Sequence, residues 1–372
     1  MRTQAAILDH PDLSRLYTHD RPLRVSAVDL DAPGPGELLV SIDAAGVCHS
    51  DLSVVNGSRR RPTPMALGHE ATGVVEGLGP YVTDIEVGDR VVLVFVPGCG
   101  LCGHCTGGAP TRCASAARAN ASGTLLSGAR RLHRDGQPVH HHLGISAFAR
   151  HAVVDRRSAV VVPADLPAPV AALFGCAVLT GVGAALNTAN VRPGETALVL
   201  GLGGVGLCAL LGAVLANAHP IIAVDPIPEK RDLALKLGAT HAIPPEEVET
   251  VLAAVLEGGV DVAFEAVGRT SALQTAWSHT RPGGRTVSVG LPDPSERLSV
   301  PVATLVGEGR TLLGSYQGDS VPQRDIPRYV ALWRAGRLPV DLLLGETFPL
   351  ADVNVALERL ATGSAVRPML LP

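Results

Sequence analysis

Long apolar runs, an excess of charge of one sign and an export signal are all missing from this 372-residue sequence. Because no run of about 18 apolar residues occurs, we expect no membrane-spanning helix, and residues 205–218 are predicted to form a buried helix instead. The net charge of −4 does not point to nucleic acid or an anionic membrane as a partner. The first apolar run is cut off at Asp9, too early for a signal peptide, so we expect a cytoplasmic protein.

Disulfide bonds are not expected either. The seven cysteines are odd in number and clustered, in a chain with no export signal, and this favours metal ligation. A hydrophobic fraction of 46% and a charged fraction of 18% are typical of a globular chain, and the length allows two domains.

The pattern of the chain changes near its middle. Residues 1–95 contain short apolar runs broken by Gly and Pro, which predicts a β-rich, barrel-like or Greek-key domain, and residues 114–150 are predicted to be rich in loops. After residue 191, strands and helices alternate, which predicts an α/β fold with a doubly wound parallel sheet. The predicted strands end at Leu200 or cover 221–225, 260–265, 285–290 and 311–316, and the predicted helices lie near 228–238, 271–280, 325–335 and 351–360.

Four cysteines lie close together in a glycine-rich segment. Their spacing is C-x2-C-x2-C-x7-C, at Cys99, Cys102, Cys105 and Cys113. Four thiolates at this spacing suit a closed, tetrahedral structural zinc site. An iron–sulfur cluster uses similar spacing and is the main alternative, whereas a nucleic-acid zinc ribbon is disfavoured because the surrounding sequence is not strongly basic. His104 is surplus to a set of four thiolates and is predicted to be exposed.

A second metal centre is indicated by residues that are far apart in sequence. Cys48 and His69 offer a thiolate and an imidazole, which zinc prefers, but only the tertiary fold could bring them together. Cys176 is a third candidate. Two or three ligands with no fourth nearby suit an open catalytic zinc, although each residue on its own is more often core filling.

A glycine-rich turn follows the strand that ends at Leu200. It consists of Gly201-Leu-Gly203-Gly204-Val205-Gly206, runs into an apolar helix, and is followed by a strand that ends in Asp225. The glycines let the backbone approach a pyrophosphate at the helix N-terminus, and an acidic residue at this distance accepts hydrogen bonds from the adenosine ribose. A carboxylate repels a 2′-phosphate, so NAD is favoured over NADP. The alternative is a glycine-rich turn without a ligand.

Three consecutive histidines occur at 140–142. They cannot all face one metal ion from a strand, because alternate side chains point to opposite faces. We therefore expect at least two of them to have packing or turn roles.

Taken together, these motifs resemble the medium-chain, zinc-dependent alcohol dehydrogenase family over nearly the whole chain. The matching segments are 46–51 (GVCHSD), 68–70 (GHE), the four-cysteine lobe, Cys176 with Thr180-Gly181, and the glycine-rich turn with Asp225. The segment 138–148 and the interval between Cys113 and Cys176 are similar to the long-loop members, which are usually dimers. The resemblance implies a GroES-like catalytic domain at 1–177 and 319–372 and a Rossmann domain at 178–318.

The resemblance also implies a role for each matching residue. Cys48, His69 and Cys176 would ligate the catalytic zinc, with Glu70 behind the metal as an electrostatic or transient ligand. Asp51 would orient His69, and Ser50 would receive the alcohol proton. Further residues would contact the cofactor or line the substrate pocket: His49 and Arg367 at the pyrophosphate, Thr180 and the glycine-rich turn at the cofactor, Asp225 and Lys230 at the ribose, and Phe95, His142, Leu143 and Tyr316 in the pocket.

The sequence departs from the family pattern at two positions. Many relatives have a proton-relay histidine where this chain has Ser53, so the pH dependence of the rate is expected to differ. His142 stands where an aromatic pocket residue is common. It either gives the pocket a polar wall or turns away into a hydrogen bond.

The implied reaction is reversible hydride transfer from a primary or secondary alcohol to NAD, with two zinc ions per subunit. A thiol-adduct formaldehyde dehydrogenase of the glutathione or mycothiol type is an alternative, disfavoured because Arg59, Arg60 and Arg61 stand where such relatives have acidic residues. A non-catalytic zinc- or nucleotide-binding protein is a second alternative. We expect a homodimer that acts on a small molecule, with 311–316 as a candidate edge strand between subunits.

Overall fold

The computed structural model describes residues 1–13 and 16–372, which fold into two compact units. One unit consists of Met1–Cys176, Val321–Val330 and Val340–Pro372, and the other of Ala177–Ser320 and Ala331–Pro339. Among the described residues, no helix has both the length and the apolar character needed to cross a membrane.

The β-strands of the described residues are mostly short and are numbered in chain order. They are β1 (Arg2–Leu8), β2 (Leu23–Leu30), β3 (Glu37–Gly46), β4 (Met65–Ala66), β5 (Glu70–Leu78), β6 (Arg90–Leu93), β7 (Leu132–Arg134), β8 (Gln137–His141), β9 (His151–Asp155), β10 (Ala159–Val161), β11 (Ala197–Leu200), β12 (Ile221–Val224), β13 (His241–Ile243), β14 (Val260–Glu265), β15 (Thr280–Ser288), β16 (Thr311–Gly314), β17 (Thr347–Pro349) and β18 (Met369–Leu371).

The α-helices are mostly short as well. They are α1 (Tyr17–Asp20), α2 (His49–Val55), α3 (Gly103–Thr106), α4 (Ala114–Ser122), α5 (Ala168–Leu173), α6 (Ala177–Gly183), α7 (Gly204–Leu215), α8 (Pro228–Lys236), α9 (Val248–Val255), α10 (Thr270–Ser278), α11 (Val302–Gly307), α12 (Pro322–Arg334) and α13 (Val353–Ala361). Short 3-10 turns cover Pro110–Arg112, Arg156–Ser158, Pro245–Glu247, Gln317–Asp319, Val340–Leu343 and Leu350–Asp352, and a π-turn covers Ala184–Thr188.

The unit that begins at Met1 is built from β-strands. β1, β2, β7, β8 and β4 close into a barrel, and a second sheet has the order β10-β6-β5-β3-β18-β17, with β9 also paired to β3. The C-terminal strand β18 runs antiparallel to β3, with Met369 opposite Gly46, and β3 places Gly46 opposite Glu70 of β5. This register brings the end of the chain beside the segment that carries His69 and Glu70.

The unit that begins at Ala177 contains a parallel sheet of order β13-β12-β11-β14-β15-β16. β11 and β12 are apolar and buried along their whole length, because helices cover both faces of a parallel sheet. β16 forms one edge of this sheet. The predicted α/β class, with a doubly wound sheet and a barrel-like β-domain, is confirmed. Pairing of the edge strand between subunits stays a prediction.

One helix was missed within the segment 114–150. Most of this segment is loop, as predicted, but Ala114–Ser122 form α4, and two short strands follow, Leu132–Arg134 and Gln137–His141. α4 has no apolar stripe that would reveal it in the sequence, yet its alanines favour a helix. The side chain of Cys113 also caps its first turn by accepting a hydrogen bond from the backbone N–H of Ala116.

The glycine-rich turn gives a test of the packing in the parallel-sheet unit. A Cβ on Gly206 would lie 1.8 Å from the carbonyl oxygen of Gly201, whereas a Cβ on Gly203 would meet no atom within 4 Å. We expect Gly206→Ala to lower the free energy of unfolding by about 3 kcal/mol or more, because backbone has to move. Gly203→Ala is the matched control and should melt like wild type. Equal melting temperatures for both variants, measured by calorimetry, would contradict the close approach at Gly206.

Candidate active site

Two segments of the barrel unit meet at Asp51, namely the N-terminus of α2 and the segment that carries His69. Cys48 lies at the N-terminus of α2, which places Asp51 in the first turn of that helix. His69 follows Gly68, whose φ of +94° is favourable only for glycine, and a Cβ there would lie 2.4 Å from the backbone nitrogen of Phe148. Asp51 and His69 are almost completely buried. The fold therefore fixes the positions of these residues by backbone sterics as well as by side-chain contacts.

The Asp51 carboxylate accepts hydrogen bonds from both segments. Its Oδ2 accepts from the backbone N–H of Cys48 at 3.1 Å. Its Oδ1 accepts from the backbone N–H of Gly68 at 3.2 Å and pairs with Nδ1 of His69 at 3.1 Å. Since a carboxylate accepts, Nδ1 of His69 carries the proton and Nε2 keeps its lone pair for another partner.

Cys48, His69 and Cys176 bring their ligating atoms together. The two sulfurs and one imidazole nitrogen all lie within 4.8 Å of one another, and Cys176 Sγ lies 3.4 Å from His69 Nε2. Bond lengths of about 2.3 Å to sulfur and about 2.0 Å to nitrogen place such atoms about 3.5 Å apart around one tetrahedral zinc ion. The donor set and its dimensions therefore fit zinc, with room for a fourth ligand.

The charges in this cluster depend on one another. Hydrogen bonding with Cys176 lowers the pKa of the Cys48 thiol well below its usual value, and the Arg367 charge acts in the same direction. Burial by itself would raise the pKa of Asp51, but the positive charge of His69 in its protonated form, the hydrogen bond from His69 and the close Nδ1 of His142 hold that pKa at about 2. The cluster thus already stabilises a thiolate and a carboxylate, the forms that bind or support a metal cation.

Glu70, expected behind the metal as an electrostatic or transient ligand, lies beside the three converging residues, and a hydrogen bond with Cys176 acts to lower its pKa. Its Oε2 lies 3.4 Å from Nη1 of Arg367, and both side chains are buried. Gly46 lies opposite Glu70 on β3, and a Cβ there would lie 2.5 Å from Glu70 Oε1, so glycine leaves room for the carboxylate. Burial raises the pKa of Glu70 to about 7 even though Arg367 opposes this shift.

The residues of α2 differ in how they face the cluster. His49 is exposed and Ser50 is half-buried, next to the buried Cys48 and Asp51. Ser53, which stands where many relatives have a relay histidine, donates its hydroxyl hydrogen to the carbonyl of His49 at 2.7 Å. Its hydroxyl is therefore engaged inside the helix.

Two rings flank the imidazole of His69. Phe95 and His142 each meet it edge-on, and the centroid of each ring lies 5.4 Å from that of His69. Leu143, the residue after His142, is buried. His142 had been expected either to line the pocket or to turn into a hydrogen bond. The structure directs its Nδ1 to Asp51 Oδ1 at 3.1 Å, so its polar edge faces the carboxylate. Tyr316 lies in the parallel-sheet unit and is 38% exposed.

The four-cysteine lobe forms a second cluster in the same unit. All four sulfurs lie within 4.8 Å of one another, with Cys99 and Cys105 at 4.0 Å and Cys102 and Cys105 at 3.5 Å. A single tetrahedral zinc ion requires sulfurs about 3.8 Å apart, whereas an iron–sulfur cluster inserts several atoms between its thiolates. Backbone N–H groups of Leu101 and Cys102 lower the pKa of Cys99 to about 6. His104 is exposed, as expected.

The predicted cofactor residues lie in the parallel-sheet unit. Gly203 precedes α7, and Gly204 begins it. Both oxygens of the Asp225 carboxylate accept backbone hydrogen bonds, from Leu202 at 2.8 Å and from Ile227 at 3.0 Å. Three further predicted residues are placed in this unit as well: Val205 in α7, Lys230 half-buried in α8 and Thr180 buried in α6.

Two contacts were missed from the sequence. The Glu70–Arg367 and Asp51–His142 pairs join residues that are far apart in the chain. The only signal for them was the presence of unusual polar residues in apolar surroundings, which does not identify the partner. The role of Arg367 at the cofactor pyrophosphate stays a prediction.

Comparisons with known proteins agree with this geometry. Residues 34–164 match the family model described as alcohol dehydrogenase GroES-like domain, and residues 204–334 match the model of the zinc-binding dehydrogenases. A protein from Mycobacterium tuberculosis named "Putative alcohol dehydrogenase D" is 37% identical over the full length of both chains.

Solved structures with the same fold also cover the whole chain. A zinc-binding alcohol dehydrogenase domain protein from Burkholderia ambifaria has a TM-score of 0.93 at 36% identity and is covered to 99%. Benzyl alcohol dehydrogenase from Acinetobacter calcoaceticus has a TM-score of 0.92 at 32% identity and is also covered to 99%. The chain belongs to the medium-chain, zinc-binding alcohol dehydrogenase family.

The buried Glu70–Arg367 pair gives a test of the site's electrostatics. Arg367→Met leaves the Glu70 carboxylate buried without its cation, and we expect a loss of about 3–5 kcal/mol in the free energy of unfolding. Combining it with Glu70→Gln removes both charges and should recover part of that loss. Urea denaturation of wild type and of both variants measures these changes in the free energy of unfolding.

The control is Arg156→Met, which breaks an ion pair with the exposed Asp84 and should cost no more than about 1 kcal/mol. If the double variant were no more stable than Arg367→Met alone, the two buried charges would not depend on each other.

Proposed function

We propose that this protein is an NAD-dependent zinc alcohol dehydrogenase that oxidises a primary or secondary alcohol to an aldehyde or ketone, and reverses the reaction. The observation that supports this most directly is the convergence of Cys48 Sγ, His69 Nε2 and Cys176 Sγ, with Asp51 fixed behind His69. Three protein ligands around an open fourth position are typical of catalytic rather than structural zinc.

The proposed chemistry divides between the metal and the chain. A zinc ion held by Cys48, His69 and Cys176 would supply Lewis-acid polarisation of the substrate oxygen. Asp51 keeps the Nδ1–H tautomer of His69, so that Nε2 faces the metal as a lone-pair donor. We assign the alcohol proton to Ser50, which is half-buried and two residues after Cys48 in the chain, since the hydroxyl of Ser53 is engaged with the His49 carbonyl.

We assign a second zinc ion to the four-cysteine lobe. Its four sulfurs leave no position for a substrate, so this ion would stabilise the fold and take no part in the reaction. Backbone N–H groups of Cys99 and Cys102 point at cysteine sulfurs at 3.3 and 3.4 Å, which favours the thiolate form.

The nicotinamide cofactor is assigned to the glycine-rich turn. Gly203 and Gly204 bring backbone N–H groups to the N-terminus of α7, where a pyrophosphate is favoured. Two relatives at 25% identity hold NADP and NAD, respectively. We favour NAD for this chain because the buried Asp225 carboxylate, fixed by two backbone hydrogen bonds, would repel a 2′-phosphate.

The function is tested by following NADH formation with a panel of primary, secondary, aromatic and carboxylated alcohols, with NADP in parallel. Benzyl alcohol belongs in the panel because a similar enzyme bears its name. Turnover of one class with NAD supports the proposal and identifies the substrate type. Absence of turnover with every alcohol, in protein that retains two zinc ions, would favour a thiol-adduct aldehyde substrate.

The ligand assignment predicts the result of Cys48→Ser. This variant should lose one zinc ion, and its kcat/KM should fall at least about a hundredfold, because removing a direct ligand has a larger effect than removing a residue that hydrogen-bonds to a ligand. Metal analysis measures the zinc content, and initial rates measure kcat/KM. Cys208→Ser is the control, since this buried cysteine lies in α7 outside both clusters, and it should keep both zinc ions. Activity within a few-fold of wild type in Cys48→Ser would refute the assignment.

The cofactor assignment predicts the result of Asp225→Asn. Removing the negative charge should narrow the preference for NAD over NADP about tenfold, measured as the ratio of the two kcat/KM values. The melting temperature should also fall slightly, because one backbone hydrogen bond to the carboxylate is lost. Asp232→Asn, at an exposed position of α8, is the control. An unchanged ratio of kcat/KM for NAD to kcat/KM for NADP would show that Asp225 does not interact with the adenosine ribose.

A further inference from the structure

His142 is a buried histidine whose side chain faces Asp51, the residue that contacts the candidate zinc ligand His69. Its Nδ1 lies 3.1 Å from Asp51 Oδ1, the same oxygen that pairs with His69 Nδ1 at 3.1 Å. The contact from His69 has hydrogen-bond geometry, whereas the close contact from His142 is not aligned for a hydrogen bond. Asp51 Oδ1 also accepts the backbone N–H of Gly68 at 3.2 Å, so Nδ1 of His142 is a third nitrogen around the same oxygen.

The backbone holds His142 in this position. Its N–H lies 3.2 Å from the Ala66 carbonyl and 3.0 Å from Oγ of Ser146, and the Ser146 hydroxyl donates in turn to the Ala66 carbonyl at 2.9 Å. Leu143, Gly144 and Ser146 have positive φ values of 53°, 70° and 58°. Non-glycine residues adopt this conformation at a cost and only where the surroundings hold them, so the turn that presents His142 is strongly specified.

The ring has little freedom beside the metal cluster. It meets the imidazole of His69 edge-on at 84°, with the centroids of the two rings 5.4 Å apart. A neutral imidazole whose Nδ1 faces a carboxylate carries its proton on that nitrogen.

We propose that His142 is a positioning residue of the metal centre, which shares Asp51 Oδ1 with His69 and so weakens the hold of Asp51 on the His69 Nδ1–H. The inference rests on the proposed zinc at Cys48, His69 and Cys176. A further N–H group close to a carboxylate oxygen, even without an aligned hydrogen bond, withdraws negative charge from it, so the oxygen is a poorer acceptor for His69 and Nε2 of His69 is a less basic ligand. A zinc ion at this site would then be held less tightly and would polarise the substrate oxygen more strongly.

This effect has the opposite sign to that of a purely structural role. If His142 only kept Asp51 in place, replacing it would loosen Asp51, weaken the support of His69 and speed the loss of zinc. If His142 shares the oxygen, replacing it with an apolar ring strengthens the Asp51–His69 hydrogen bond and slows the loss of zinc. Removal of a residue that hydrogen-bonds to a metal ligand typically changes metal affinity about 10–100-fold. His142 acts one step further away, through Asp51, so we expect the rate of zinc loss to change about three- to tenfold.

The test measures zinc release from the holoenzyme to a chromophoric chelator at fixed pH in His142→Phe, His142→Asn and His140→Phe. The amide nitrogen of asparagine can donate from nearly the position of Nδ1, so His142→Asn should behave like wild type. His140 faces the Ser122 carbonyl at 3.2 Å and provides the matched control. We expect His142→Phe to release the catalytic zinc about three- to tenfold more slowly, with lower kcat and little change in KM.

Two further readouts separate the possible results. The absorption bands of the cobalt-substituted enzyme should shift in His142→Phe but not in His140→Phe. Faster or unchanged zinc release in His142→Phe would overturn the inference. A third tightly bound metal ion that is present in wild type and lost in His142→Phe would overturn it too, because Asp51, His69 and His142 would then be ligands themselves. If wild type holds no metal at Cys48, the proposed function fails first, before any variant is compared.

Discussion

The buried carboxylate of Asp51 is the constraint on which the candidate active site depends. It pairs with His69, accepts the backbone N–H of Gly68 and also accepts the backbone N–H of Cys48, so one side chain fixes two of the three converging ligands. A buried carboxylate without donors would be costly, and these contacts offset that cost while setting the tautomer of His69. The contacts that fix the positions of the candidate metal ligands are therefore the same contacts that stabilise the buried Asp51 carboxylate.

Much of the architecture follows from local patterns in the sequence. The spacing of the four cysteines and the strand–turn–helix around Gly201–Gly206 act over short distances, so the amino-acid order alone reveals them. The assembly of Cys48, His69 and Cys176 was proposed from ligand type and family resemblance, and the structure brings these residues together. α4 was not predicted because a helix rich in alanine shows no apolar stripe.

Contacts between distant segments could not be read in this way. Glu70 meets Arg367 only because β18 returns beside β3, and His142 meets Asp51 only because the turn after β8 is fixed to the Ala66 carbonyl. In both cases the sequence shows a charged or polar residue but not the strand register that decides its partner. Asp225 is similar, since its position was predicted but its backbone hydrogen bonds to Leu202 and Ile227 were not.

The two thiol clusters differ in their access to the surroundings. Cys48 and Cys176 are buried, whereas Cys99, Cys102 and Cys105 are only half-buried, in a loop with several exposed neighbours. The thiols of the lobe are therefore more accessible to an oxidant from solution than Cys48 and Cys176, and a zinc ion bound in the lobe, as proposed above, would protect them. In that case sensitivity to oxidation would be set by the lobe and not by the buried cluster of Cys48, His69 and Cys176.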